Sequence, residues 1–182
     1  MDRVPAGSLV VGTALPAQSG LVLELLRSAG SARRALGSGW GGEFPDVLRD
    51  LPNGLVHLGW VDGRPVGTFV LRWSDEQVWG PDDGQGGYLH RLATHPDAAG
   101  RGLGRQFVDV AGDLTARHGR RWLRLDCDRD NQRLRAYYEA QGFRHVRDVD
   151  GLPRQTRQGT RAASLYQRPA PTSSDEPLRR LG

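Results

Sequence analysis

The stretch His95 to Gln106, HPDAAGRGLGRQ, constrains this chain more than any other, because it sets a glycine-rich turn directly before an amphipathic helix. Upstream, Gly87 to Thr94 (GYLHRLAT) reads as a strand that stops at His95-Pro96, since the residue before a proline is pushed out of helical backbone. Downstream, Leu103, Phe107, Val110, Ala111 and Leu114 recur at helical spacing, and Gly119 supplies the stop. Gly100, Gly102 and Gly104 leave the amides of Gly100 to Arg105 uncovered at the start of that helix, where the dipole favours negative charge. An anion is expected on those amides, and a pyrophosphate suits them best.

Two familiar phosphate loops are excluded. A dinucleotide fingerprint GxGxxG starting at Gly100 would need glycine where Arg105 stands, and a GxxxxGK[ST] loop needs lysine, whereas all 25 basic residues are arginine. Ala99-Gly100-Arg101-Gly102-Leu103-Gly104 resembles instead the pyrophosphate loop [Q/R]xxGx[G/A] of the GNAT family of N-acetyltransferases. Ala99 departs from the Gln or Arg of that pattern, which removes one polar contact and leaves the backbone cradle. A flexible, arginine-decorated turn is the alternative reading of these residues taken alone.

Taken in order, Ser8 to Ala14 reads as a strand and Leu21 to Ala29 as a helix ended by Gly30, with Leu21 stacking on Leu25 and Val22 on Leu26. Arg33 to Leu51 is a helical region broken by SGWGG and restarted at Pro45. Leu55 to Val61 and Val66 to Trp73 form a hairpin across Asp62-Gly63-Arg64, and Glu76 to Gly86 is read as a loop. Trp122 to Cys127 alternates as a half-buried strand, with Arg124 and Asp126 opposite Leu123, Leu125 and Cys127. Asn131 to Gln141 reads as a helix with Asn131 at its N-cap and Gly142 after it; Phe143 to Val149 and Ala162 to Gln167 read as the last strands. Residues 1–168 therefore form one expected domain, and 169–182, PAPTSSDEPLRRLG, a disordered tail.

Asn131 to Phe143, NQRLRAYYEAQGF, is a second segment that resembles the same family, in its Nxx[A/L]xx[F/Y]YxxxGF signature. The resemblance implies an α/β acyl-CoA N-acyltransferase fold: a mixed, mostly antiparallel twisted sheet with splayed central strands, flanking helices and acetyl-CoA in the opening. It implies that the strand residues Leu92, Ala93 and Thr94 pair with the pantetheine amides and polarise the thioester carbonyl. Tyr138 aligns with the general acid that protonates the departing thiolate, whereas Tyr137 is read as packing. Asn131 is either a pantetheine contact or a plain cap. For the base, a family member carries a histidine at the position of His90 that assists amine deprotonation; Asp126 is the rival, and ordered water or a structural role for both stays open.

Apolar residues at 37% in 182 residues suffice for a core, and the absence of a long apolar run argues against a membrane span. A single cysteine, Cys127, excludes an internal disulfide and agrees with a reducing cytoplasm. The formal charge of +4 comes from arginines interspersed with acids, which does not indicate a nucleic-acid partner. Expected partners are acetyl-CoA as co-substrate and an amine acceptor, by direct attack in a ternary complex, with no metal; a homodimer is left open, and a non-catalytic acyl-CoA binder is the rival function. For the acceptor, Asp46, Asp82, Asp83 and Glu43 would suit a cationic amine, while Arg154 and Arg157 point the other way.

Overall fold

A computed structural model describes residues 7–35, 44–153 and 159–172, the side chains of 32–35 excepted. The SGWGG segment, Glu43, Arg154, Arg157 and residues 173–182 of the expected tail lie outside the described residues. Among the described residues, seven strands form one sheet in the order β1-β2-β3-β4-β5-β7-β6. Two compact units divide the described residues: 7–35, 44–70 and 91–110 in the first, 71–90, 111–153 and 159–172 in the second. The strand β4 (Gly86–Thr94) and the helix α4 (Leu103–Arg117) each contribute residues to both.

In the first unit, β1 (Val10–Thr13) pairs antiparallel with β2 (Val56–Val61), and β2 with β3 (Arg64–Arg72). The hairpin closes over Asp62 and Gly63 at φ 50° and 74°, the left-handed pair that an Asp-Gly turn supplies. The helix α1 (Ser19–Ala35) buries Val22, Leu25, Leu26 and Ala29 to 4% exposure or less, against Val47 of α2 (Pro45–Asp50) and Phe44, Val56, Leu58 and Val70. Each large side chain in that stripe contributes about 1.5–3 kcal/mol of transfer free energy. The helix runs through Gly30 rather than ending there. A mid-helix glycine costs only about 1 kcal/mol, so the flanking packing overrides it.

Two glycines seat the start of α4. Gly59 and Gly67 face each other across the hairpin, and a Cβ on either would overlap the ring of Phe107, which is fully buried. A Cβ at Gly67 would also come within 2.5 Å of the Ala93 carbonyl. The ring therefore occupies a slot that only glycine leaves open, packing edge-on to Phe69 at 6.0 Å.

Behind Phe69 lies His57, 7% exposed, its ring stacked on that phenylalanine at 4.7 Å. Burial pushes the His57 imidazole down to about 4 from 6.5. The folded state thus holds this group neutral while the unfolded chain protonates it, so stability is complete above about pH 6.5 and falls as pH drops through 4. The full loss should be about 3 kcal/mol, at 1.36 kcal/mol per pH unit. Urea unfolding at pH 7 and pH 4 should show it, and His57→Leu should remove most of the slope across that window; an unchanged slope would refute the assignment.

The second unit is built on β5 (Trp122–Asp128), which pairs along its whole length with β7 (Thr160–Pro169); β7 in turn carries the edge strand β6 (Arg144–Pro153). The last strands run longer than expected, and Ala170 still donates its amide to the Arg121 carbonyl at 2.8 Å. The expected loop after β3 contains one helical turn, α3 (Glu76–Trp79). In the second half of α4, Thr115 is fully buried and donates its hydroxyl to the Ala111 carbonyl at 2.7 Å, while Leu114 is only half-buried. Gly87 makes room for it, since a Cβ there would lie 2.5 Å from Thr115 Oγ1.

Candidate active site

The glycine turn is shaped as an anion cradle. After a 3-10 turn at Pro96–Ala98, Gly100 and Gly102 take φ of 76° and 71°, and α4 opens at Leu103 with the Gly102 carbonyl accepting from Gln106 N at 3.3 Å. Left-handed backbone at both positions is what glycine allows without strain. The amides of Gly100 to Arg105 have no hydrogen-bond acceptor among the described residues. No acidic residue stands in the first turn of α4, so the positive end of its dipole faces no internal carboxylate. Arg101 and Arg105 are exposed beside it. The glycine turn into a helix expected from sequence is thus present, with Leu103 buried beneath it and Gly104 half-buried.

Leu92, Ala93 and Thr94 close β4, with Ala93 in the core and the other two half-buried. The residue before them, Arg91, is a non-glycine residue at φ 53°, which interrupts the alternation of the strand. Its guanidinium holds Asp46 by two parallel bonds, Nε to Oδ2 and Nη2 to Oδ1, both at 3.1 Å, and lies over the Phe44 ring. This ion pair anchors the strained residue from the side chain.

On the second unit, β4 and β5 run parallel only over Gly86↔Trp122, Gly87↔Leu123 and Tyr88↔Arg124. Leu89 and His90 then carry on without pairing to Leu125 and Asp126, which is the expected opening between the central strands. The helix α5 (Gln132–Glu139) follows β5, with Asn131 Oδ1 accepting from Leu134 N at 3.1 Å. Asn131 is therefore the helix cap. Tyr138 is buried to 8%, its ring edge-on to Phe143 at 5.6 Å and to Tyr137 at 5.4 Å; Tyr137 is 38% exposed. Gly142 at φ 82° lets Phe143 N turn back to the Tyr138 carbonyl, so the glycine and phenylalanine of the motif fix this tyrosine.

Both candidate bases, His90 and Asp126, lie together. Their donor atoms and one from Asp75 all fall within 4.8 Å of one another. Asp126 does not point to solvent: its side chain is 8% exposed, and Oδ2 is 2.6 Å from Arg161 Nη2. Asp75, 9% exposed at its side chain, places Oδ2 3.4 Å from His90 Nε2. Sequence reasoning passed over Asp75, which fell between the strand ending at Trp73 and the loop beginning at Glu76 with no motif around it.

Three of the acids expected to attract a cationic acceptor, Asp46, Asp82 and Asp83, are already matched. Asp82 faces Arg120 at 3.4 Å, and Asp83 takes two bonds from Arg124, at 2.9 and 2.7 Å, which hold its carboxyl below the usual range. Arg124 is itself 9% exposed, bonded to Tyr88 and lying over Trp79, so the polar face of β5 is covered rather than open. With Asp46 on Arg91, these carboxylates serve the fold. Cys127 is 5% exposed, and burial pushes its thiol up to about 12.

Residues 24–143 match the family model described as Acetyltransferase (GNAT) family. This chain belongs to the GNAT family. It is an acetyl-CoA-dependent N-acetyltransferase by that membership, with a fold to match. The GNAT chain is 29% identical over 131 residues to the protein named uncharacterized N-acetyltransferase YesJ of Bacillus subtilis (strain 168), covering 65% of this chain and 72% of that protein. Among solved structures, a GNAT family acetyltransferase of Listeria monocytogenes 4b F2365 superposes with a TM-score of 0.73 at 21% identity, over 92% of this chain and 99% of that one. The Salmonella typhimurium protein yncA, solved with its cofactor acetyl-CoA, gives 0.64 at 15% identity, over 95% and 99%. Among the described residues, no helix of this acetyltransferase is long and apolar enough to cross a membrane.

Proposed function

We propose that this enzyme moves the acetyl group of acetyl-CoA to a primary amine by direct attack within a ternary complex. The observation that carries the reading is the run of amides from Gly100 to Arg105, which opens α4 with no acceptor of its own among the described residues. These amides take the pyrophosphate, with Arg101 and Arg105 beside it adding exposed positive charge. Backbone groups of Leu92, Ala93 and Thr94 align the pantetheine arm and donate to the thioester carbonyl oxygen as charge develops there. The Asn131 side-chain oxygen is occupied by the Leu134 amide, so its contribution to the arm is the carboxamide NH2.

The acceptor arrives as an ammonium ion. His90 removes its proton, the freed lone pair attacks the thioester carbon, and the C–N bond forms as the carbonyl π pair moves onto oxygen. Collapse breaks the C–S bond, Tyr138 gives its phenolic proton to the leaving thiolate, the second proton on the new amide nitrogen returns to the phenolate, and the proton on His90 passes to water. We place the reaction in the cytoplasm, where the unpaired, buried Cys127 would stay reduced.

The test is CoA release from acetyl-CoA across a panel of small primary amines and peptides with free N-termini. Release with at least one amine, dependent on enzyme, is the expected result. Tight acetyl-CoA binding with no release across the whole panel would favour a non-catalytic acyl-CoA binder instead.

A further inference from the structure

We infer that Asp75 is a positioning residue for His90, fixing which ring nitrogen acts as base; the inference rests on the assignment of His90 made above. Asp75 stands at the N-cap of α3, where an aspartate ordinarily turns its carboxylate onto the amides of the first turn. It makes no such side-chain bond, although its backbone carbonyl accepts from Val78 N at 3.1 Å and Trp79 N at 2.8 Å. The carboxylate turns toward β4 instead, with Oδ2 3.4 Å from His90 Nε2 and the two side chains 9% and 13% exposed. Neither atom makes a hydrogen bond among the described residues, the 3.4 Å approach falling short of one. Two unsatisfied buried polar atoms this close satisfy one another once Nε2 carries the proton and the carboxylate turns slightly toward it.

Charge supports the same pairing. The ionisable groups gathered at His90 are Asp75 from the start of α3, Asp126 from β5 and, beyond it, Arg161 from β7. Arg161 neutralises Asp126 at 2.6 Å, and the neighbouring Arg91 in β4 is held by Asp46. Asp75 is left as the uncompensated anion beside the imidazole among the described residues. A divalent cation would have to share this space with the Arg161 guanidinium, so the cluster handles protons rather than metal. With the Nε2 proton held by Asp75, the Nδ1 lone pair is the base: it takes the ammonium proton, Asp75 stays ionised, and the positive charge on the ring is matched.

The first measurement needs no variant: imidazole 15N resonances of the wild-type protein, with the His90 signals identified by their loss in His90→Gln. A proton on Nε2 is expected, and one on Nδ1 would overturn the inference. In Asp75→Asn the amide can donate to Nε2, which drives the proton onto Nδ1 and removes the base. For that variant kcat should fall on the order of 10²-fold with the KM for acetyl-CoA unchanged. A folded Asp75→Asn enzyme with the wild-type rate and tautomer would refute a positioning role, as would a rate that requires a divalent ion and is lost to a chelator. An ascending limb that survives in His90→Gln would remove His90 as the base, a separate failure, because the wild-type tautomer still reports on Asp75.

Discussion

A Gly102→Val enzyme is expected to bind acetyl-CoA at least about 100-fold more weakly while keeping its fold. A Cβ at Gly102 would meet no atom within 4 Å, so the substitution introduces no clash. Its effect comes through the backbone, because φ at this position is 71° and a β-branched residue there is strained by about 1–2 kcal/mol. Relaxing that strain rotates the turn and with it the amides that open α4. Hydrogen bonds to a charged partner are worth about 1.5–3 kcal/mol each, so misdirecting two of them accounts for a hundredfold loss, about 2.7 kcal/mol. Calorimetric titration beside a thermal melt checks this. An unchanged Kd would mean that the pyrophosphate sits elsewhere.

Tyr138→Phe should lower kcat by about 10²-fold, the usual contribution of a general acid, with little change in the KM for acetyl-CoA. The ring is held by Phe143 and Tyr137, and the backbone by the turn at Gly142, so phenylalanine keeps the packing and loses only the hydroxyl. Steady-state kinetics with one confirmed acceptor decides the matter. Full turnover would return Tyr138 to a packing role.

What the sequence revealed was local. The Asp62-Gly63 hairpin, the glycine turn before α4 and the Asn131 cap each depend on residues within a few positions of one another, where turn and cap chemistry dominate. The apolar stripe of α4 was legible in type but not in rotation, because Thr115, a polar residue, goes to the interior once its hydroxyl bonds back to Ala111. Long-range matches left no sequence signal. Asp46, Asp82 and Asp83 read as free acids because their partners Arg91, Arg120 and Arg124 lie 45, 38 and 41 positions away. The same holds for Asp75, His90, Asp126 and Arg161, which come from four elements and meet only after the sheet assembles. Alternation along β5 indicated which side Asp126 shares with Arg124, and it could not say that this side is covered.

The buried thiol of Cys127 also narrows the kinetic scheme. It is the sole cysteine, and a thiol raised to about 12 is almost wholly protonated at neutral pH. A protonated, buried sulfur is a poor nucleophile, so no thiolate is available to accept an acyl group from the donor and release CoA before the acceptor arrives. A double-displacement route through this residue is closed. Double-reciprocal plots at several fixed acceptor concentrations should therefore intersect rather than run parallel, and prior treatment of the folded enzyme with iodoacetamide should leave its rate intact.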